Sequence, residues 1–266
     1  MNKLQIGKMP QLPFEVSEAI NQLRINLSFC GSDVKTIMIT SSTPNEGKSF
    51  VTVQLWRMIA ELGTPAVLID CDFRKSEMRS KYGMSTSGQL IGGVHYLAGK
   101  AELDDVIYET NVPNGYIIPV AKTVTNPAIL LESERFAQMI KHCRQRFGVV
   151  LIDTPPSQSD LIAAAVDASS LVVLVTTPGP LDLDRMWETA KAIDRPSSVL
   201  LTQTRANTVA LRDAERFLTD RGLARFDATI PFKEALRRSS ESGRMPSASG
   251  YGLVANELIE AFNGIE

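Results

Sequence analysis

The 266 residues contain no apolar run approaching the ~18 needed to span a bilayer. The longest such run, Leu171 to Val175, has the length of a strand. The opening, MNKLQIGKMP, lacks the apolar centre of a signal peptide. Cysteine is scarce and odd in number: Cys30, Cys71 and Cys143 are dispersed, and no Cys-x-x-Cys pair occurs. The two histidines, His95 and His142, are far apart, so no Cys/His zinc spacing exists. These absences exclude a disulfide scaffold and a zinc module, and they fit a reducing, cytoplasmic compartment. Excess charge of one sign is lacking too. The formal net charge is −2, which supplies no global attraction to nucleic acid. No repeat, low-complexity tract or linker divides the chain, so residues 1–266 are expected to form one domain.

What is present is apolar and periodic. Hydrophobic residues make up 44% of the chain, enough for a full core. Residues 1–13 read as a loose arm. Within residues 14–29, Val16, Ile20, Leu23 and Leu27 recur at steps of three to four and predict an amphipathic helix. The runs VKTIMIT, PAVLID, GYIIPV, VVLID, SSLVVLVTT and SSVLLTQT read as strands. Helices are expected over KSFVTVQLWRMIAELG, ESERFAQMIKHCRQRFG, DLDRMWETAKAID, ALRDAERFLTDRG and LVANELIEAF. Shorter ones are expected around GQLIGGVHYLAG and ELDDVIYE. Apolar strands alternating with helices predict an α/β fold, with a mostly parallel central sheet covered by helices on both faces.

One loop carries chemistry. SSTPNEGKSF, Ser41 to Phe50, lies between a predicted strand and a predicted helix. Its end, Gly47-Lys48-Ser49, is the second half of a phosphate-binding loop, with Ser42 where a first glycine is expected. Backbone N–H groups at a helix start hold phosphate, and the helix dipole adds to the attraction. Gly47 permits close backbone approach, Lys48 reaches the β- and γ-phosphates, and Ser49 serves Mg²⁺. The tripeptide alone arises by chance in roughly one chain in eight of this size. Its context adds weight. VLIDCDFRK places Asp70 and Asp72, and VVLIDTPP places Asp153, at the C-terminal ends of buried strands, where ligand crevices form in open parallel sheets. Carboxylates there can hold Mg²⁺ together with phosphate oxygens. A nucleotide with Mg²⁺ is therefore expected, lying on Thr43, Pro44, Asn45, Glu46, Gly47, Lys48, Ser49 and Phe50. Phe50 replaces a hydroxyl often found near the α-phosphate, and it is expected to pack inward with weaker binding as the result.

SSTPNEGKS, VLIDCDFRK and VVLIDTPP resemble the Walker A, Walker A′ and Walker B motifs of bacterial tyrosine kinases of capsule and exopolysaccharide synthesis. The resemblance covers about residues 1–156 and includes Arg74 after the double-aspartate strand. It implies a P-loop NTPase of the deviant Walker type, with Lys48, Asp70, Asp72 and Asp153 as catalytic residues. It also implies that the nucleotide is ATP and that Ser49, Asp72 and Asp153 hold the metal. Asp70 or Asp72 would activate the tyrosine hydroxyl, and Asp153 would complete the Mg²⁺ shell. After Pro156 the sequence is more similar to partition ATPases of the ParA/MinD type. Those carry an extra lysine five positions before the invariant one, where this chain has Thr43.

Three outcomes are open on the sequence alone: phosphoryl transfer to tyrosine, hydrolysis in an ATPase switch acting in partitioning or positioning, and nucleotide binding without turnover. The kinase resemblance implies a transmembrane activator in trans, recruitment to the inner face of the membrane, and a homo-oligomer, either a ring or an ATP-dependent dimer. Glu18 and Arg24 match its subunit-interface motif, but Asn21 stands where that motif has its middle arginine. Tyr251 is the one tyrosine of the tail and the candidate phosphosite. Arg212, Arg216, Arg221, Arg225, Arg237, Arg238 and Arg244 raise non-specific DNA as a partner. Interleaved Asp213, Glu215, Asp220 and Glu241 favour a solvated helix face instead.

Overall fold

The computed structural model describes residues 1–31, 33–156 and 160–233. In chain order the elements are β1 (Asn2–Ile6), α1 (Phe14–Ser28), β2 (Thr36–Ser41), α2 (Lys48–Glu61), β3 (Ala66–Asp70), α3 (Met78–Lys81) and β4 (Met84–Ser85). There follow α4 (Gly93–Leu97), α5 (Leu103–Val106), β5 (Tyr108–Thr110), β6 (Gly115–Ile118), α6 (Ala128–Leu131), α7 (Glu134–Arg146) and β7 (Val149–Asp153). The last are α8 (Asp160–Asp167), β8 (Leu171–Thr176), α9 (Pro180–Lys191), β9 (Ser197–Leu201) and α10 (Val209–Asp220). The helix expected over LVANELIEAF lies outside the described residues.

Among the described residues the strands form one sheet of nine in the order β4-β1-β5-β6-β3-β7-β2-β8-β9. All pairings are parallel except β1 with β4 and β5 with β6. Every residue of β2, β3 and β8 is buried, which is why these runs lack polar alternation. Side chains alternate between two cores. Met38, Val67, Ile69 and Val172 join one with Phe136 of α7, Leu183 of α9 and Leu218 of α10. Ile37, Ile39, Leu68 and Val173 join the other with Ile20 of α1 and Trp56 of α2. Helices therefore cover both faces.

α2 lies close against the sheet. Trp56 is fully buried, and its indole N–H donates to the Ala66 carbonyl at 3.0 Å. The Gly115 backbone comes so near that a Cβ there would meet the Trp56 ring at 2.7 Å. Two expectations need correction. Residues 1–13 are not a loose arm throughout, because Asn2–Ile6 pairs with β4 and β5 and buries Leu4 and Ile6. The helix expected over ELDDVIYE stops at Val106, and Tyr108–Thr110 is a strand. Both segments are short, and the pairing that joins them, Asn2 with Tyr108 to Leu4 with Thr110, spans about a hundred residues of chain.

Candidate active site

The crevice forms at the C-terminal ends of β2, β3 and β7. The loop after β2 turns through Asn45 (φ 66°) and Gly47 (φ 93°), both left-handed, and enters α2 at Lys48. A residue with a Cβ adopts that conformation at a cost, which Gly47 avoids. Lys48 is buried, and its Nζ donates to Asp153 Oδ1 at 3.1 Å and to Ser49 Oγ at 3.2 Å. Asp153 ends β7 beside Asp70 at the end of β3, in direct register. Parallel register puts both carboxylates on the same face of the sheet.

Asp70 is held by its surroundings. Asp72 N–H donates to its Oδ1 at 3.1 Å, and the Ser76 hydroxyl donates to its Oδ2. Burial and the nearby Asp153 charge raise its pKa to about 7 from an ordinary 3.8, against the opposing effect of those hydrogen bonds. Asp72 lies half-buried beyond the strand end, with its Oδ1 accepting the Lys75 N–H at 3.1 Å. Arg74 is exposed. The structure thus brings Lys48, Ser49, Asp70, Asp72 and Asp153 to one crevice.

Several contributors, and the bracing role of Glu46, escaped the sequence reading. Thr52, one helical turn after Lys48, donates to Asp153 Oδ1 at 3.2 Å and to the Lys48 carbonyl at 2.9 Å. The i+4 spacing was the available signal. Ser76 gave no signal, since only the turn after β3 brings it to Asp70. Glu46 has a buried side chain beneath the loop. Its carboxylate accepts the Thr43 N–H at 2.8 Å and the Thr176 hydroxyl at 3.2 Å, while Thr202 donates to its carbonyl. Burial raises its pKa. Gln203 Nε2 donates to the Asn45 carbonyl at 2.7 Å. The ends of β8 and β9 therefore brace the loop from below. Pro44 and Asn45 are exposed at its tip, and Phe50 is half-buried against the α1/α2-side core.

The site fits a nucleotide and a divalent ion by its own chemistry. It presents a backbone turn of left-handed residues at a helix start, a buried lysine, a hydroxyl at Ser49, and carboxylates on neighbouring strands. Among the described residues no three His, Cys, Asp or Glu side chains form a ready metal cage. Mg²⁺ needs none, because phosphate oxygens and water fill most of its shell.

Other predicted positions lie elsewhere. Glu18 and Arg24 are on α1, where the Arg24 guanidinium donates to Asn21 Oδ1 at 2.9 and 3.2 Å. The residue that replaces the middle arginine thus engages the third position of the motif. Arg216 and Arg225 face Asp213 and Glu215 at 4.0 and 3.6 Å. Tyr82, Tyr96 and Tyr108 are buried, and Tyr116 packs on Phe147 with ring centroids 4.8 Å apart. Tyr251, Arg237, Arg238, Glu241 and Arg244 lie outside the described residues. Among the described residues no helix is long and apolar enough to cross a membrane.

The AAA domain family matches residues 34–200. Tyrosine-protein kinase CpsD of Streptococcus agalactiae is 34% identical over 207 residues, which cover 76% of this chain and 88% of that protein. An alignment of that length runs past Pro156. The kinase domain of Escherichia coli tyrosine kinase ETK shares the fold, with TM-score 0.63, 24% identity and coverage of 73% of this chain and 81% of that one. So does the cell division ATPase MinD of Pyrococcus furiosus, with TM-score 0.64, 22% identity and coverage of 80% and 89%. The fold is common to both groups, while sequence identity over most of the CpsD length separates them: the chain is an enzyme that belongs to the AAA-domain P-loop family and, within it, to the bacterial tyrosine-protein kinases.

Proposed function

We propose that the chain binds Mg-ATP on the loop from Thr43 to Phe50 and transfers the γ-phosphoryl group to a protein tyrosine, in capsule or exopolysaccharide synthesis. The observation that carries this is the in-register pair Asp70 and Asp153, with Lys48 bonded to one of them. Lys48 holds the β- and γ-phosphate oxygens and stabilises the charge that builds in the transition state. Ser49, Asp153 and Asp72 would hold Mg²⁺, which would neutralise phosphate charge. Asp70 accepts the proton of the tyrosine hydroxyl. The tyrosine oxygen forms the new bond to phosphorus as the bond to the bridging oxygen breaks and ADP leaves. The raised pKa of Asp70 suits a base working near neutrality.

Hydrolysis in an ATPase switch is the second reading, favoured by the MinD-like fold. Thr43, in place of the partition-type lysine, supports the first. Under the kinase reading a transmembrane activator supplied in trans recruits the chain to the inner face of the membrane. Oligomerisation uses the α1 surface with Glu18 and Arg24, and Tyr251 is the phosphosite. Arg216 of α10 and Arg225 beyond it, each facing a carboxylate of α10, weigh against a DNA partner.

The test follows label from the γ-phosphate in purified protein with Mg-ATP, beside a Lys48→Met control. Free phosphate and phosphotyrosine are counted in one tube, with and without a tyrosine-containing polymer. Lys48-dependent phosphotyrosine is the expected result. Lys48-dependent free phosphate with no phosphotyrosine overturns the kinase reading in favour of the switch.

A further inference from the structure

Next to Asp70 the surface opens into a cleft of about 620 Å³. Ser76 and Arg79 line it from the α3 region, Met84 from β4, and Val120, Lys122 and Thr123 from the segment after β6. Three features set it apart from an ordinary surface depression.

The first is its connection to the reacting centre. Ser76, one of the residues lining the cleft, donates its hydroxyl to Asp70. A chain lying in the cleft would pass within one side chain of the proposed proton acceptor. β6 is the neighbour of β3 in the sheet, with Ile118 registered to Ile69, so the segment after β6 leaves the sheet beside Asp70.

The second is a firmly seated wall. The Gly93 N–H donates to the Pro119 carbonyl at 3.0 Å, and the Val124 N–H donates to the Phe73 carbonyl at 2.8 Å. A Cβ at Gly92 would lie 2.0 Å from the Pro119 oxygen, so the two backbones are in direct contact. Residues 120–123 are thus anchored at both ends, and one anchor is the loop that carries Asp72.

The third is unbalanced charge. Arg79 and Lys122 are exposed, no carboxylate lines the cleft, and neither cation has an ion pair among the described residues. Met84 and Val120, which also line the cleft, are themselves buried.

We infer that this cleft seats the segment carrying the acceptor tyrosine and selects one flanked by acidic residues, with Arg79 and Lys122 reading the carboxylates. The inference rests on the kinase reading above and adds the substrate class. Exposed ion pairs are individually weak, so the selection comes from two of them acting together and from repulsion of a basic flank.

The test measures binding apart from turnover. Two fluorescent peptides carry one tyrosine each, flanked by glutamates in one and lysines in the other. Both are titrated by anisotropy against the full chain with Mg-ADP. The expected result is tighter binding of the glutamate peptide by roughly tenfold, falling as salt rises. The double variant Arg79→Glu, Lys122→Glu reverses the preference and leaves Mg-ADP affinity unchanged, which also shows that it is folded. Equal binding of both peptides by the wild type, or an unaltered preference in the variant, overturns the inference. Label transfer separates the two ideas. Tyrosine labelled equally in both peptides keeps the kinase reading and sinks this one. Glutamate-peptide binding that depends on Arg79 and Lys122 but never leads to labelling keeps the acidic-peptide site and sinks the kinase reading.

Discussion

A carboxyl group buried at the end of a strand, beside another carboxylate, keeps its proton to a higher pH than one in water. Asp70 is such a group, with a folded value of about 7 against 3.8 for the free side chain. Between those values the folded chain holds a proton that the unfolded chain has lost. Unfolding therefore releases it, and stability falls as pH rises from about 4 towards 7, then stays level for this group. Asp70→Asn removes the titration. In urea unfolding without nucleotide or metal, the variant should lose less stability than wild type between pH 5 and pH 8. Parallel curves for the two proteins would mean Asp70 does not carry the shift. At this scale the sequence displayed Lys48, Ser49 and Asp153 through motif spacing. It did not display Thr52, Ser76 or the bracing role of Glu46, because a threonine, a serine or a glutamate takes on such a role only from what the fold places beside it.

The helices and the central strands announce themselves locally, and the sheet edge does not. The four residues at helical steps in α1 are its four buried positions. The chain start carries only Leu4 and Ile6 between polar residues, so its strand character arises from pairing with β4 and β5. That pairing has an energetic signature. Leu4 is fully buried, while Gln5 is exposed. Leu4→Ala should cost about 2–4 kcal/mol of unfolding free energy, the range for deleting a buried leucine. Gln5→Ala should stay within about 0.5 kcal/mol. Denaturant midpoints of the two variants decide this, and two neutral outcomes would return residues 1–7 to a loose arm.

The segments before and after Pro156 meet in one sheet. β2 pairs with β7 on one side and β8 on the other, and Thr176 and Thr202 brace the phosphate loop through Glu46. We therefore expect the described part of the chain to lose its structure as a unit. Trp56 in α2 and Trp187 in α9 report on the two parts. Trp187→Phe and Trp56→Phe each leave one reporter, and their fluorescence transitions in urea should coincide once each is corrected for its own stability change. Separate midpoints, with the Trp187 signal changing first, would show two units joined at residue 157.

Local sequence determined what short-range physics can determine: apolar runs that must be buried, helical periodicity, and a glycine-lysine-serine turn between a strand and a helix. These sufficed to name the α/β fold and the loop, because each signal lies within one element. Tertiary structure alone decided which carboxylate stands beside which, since register between β3 and β7 joins residues 83 positions apart. It also decided that β8 and β9 hold the loop, that Asn2–Ile6 is a strand, and that Arg79 and Lys122 share a cleft. Each of these depends on contacts between distant segments, whose partners no local pattern can specify.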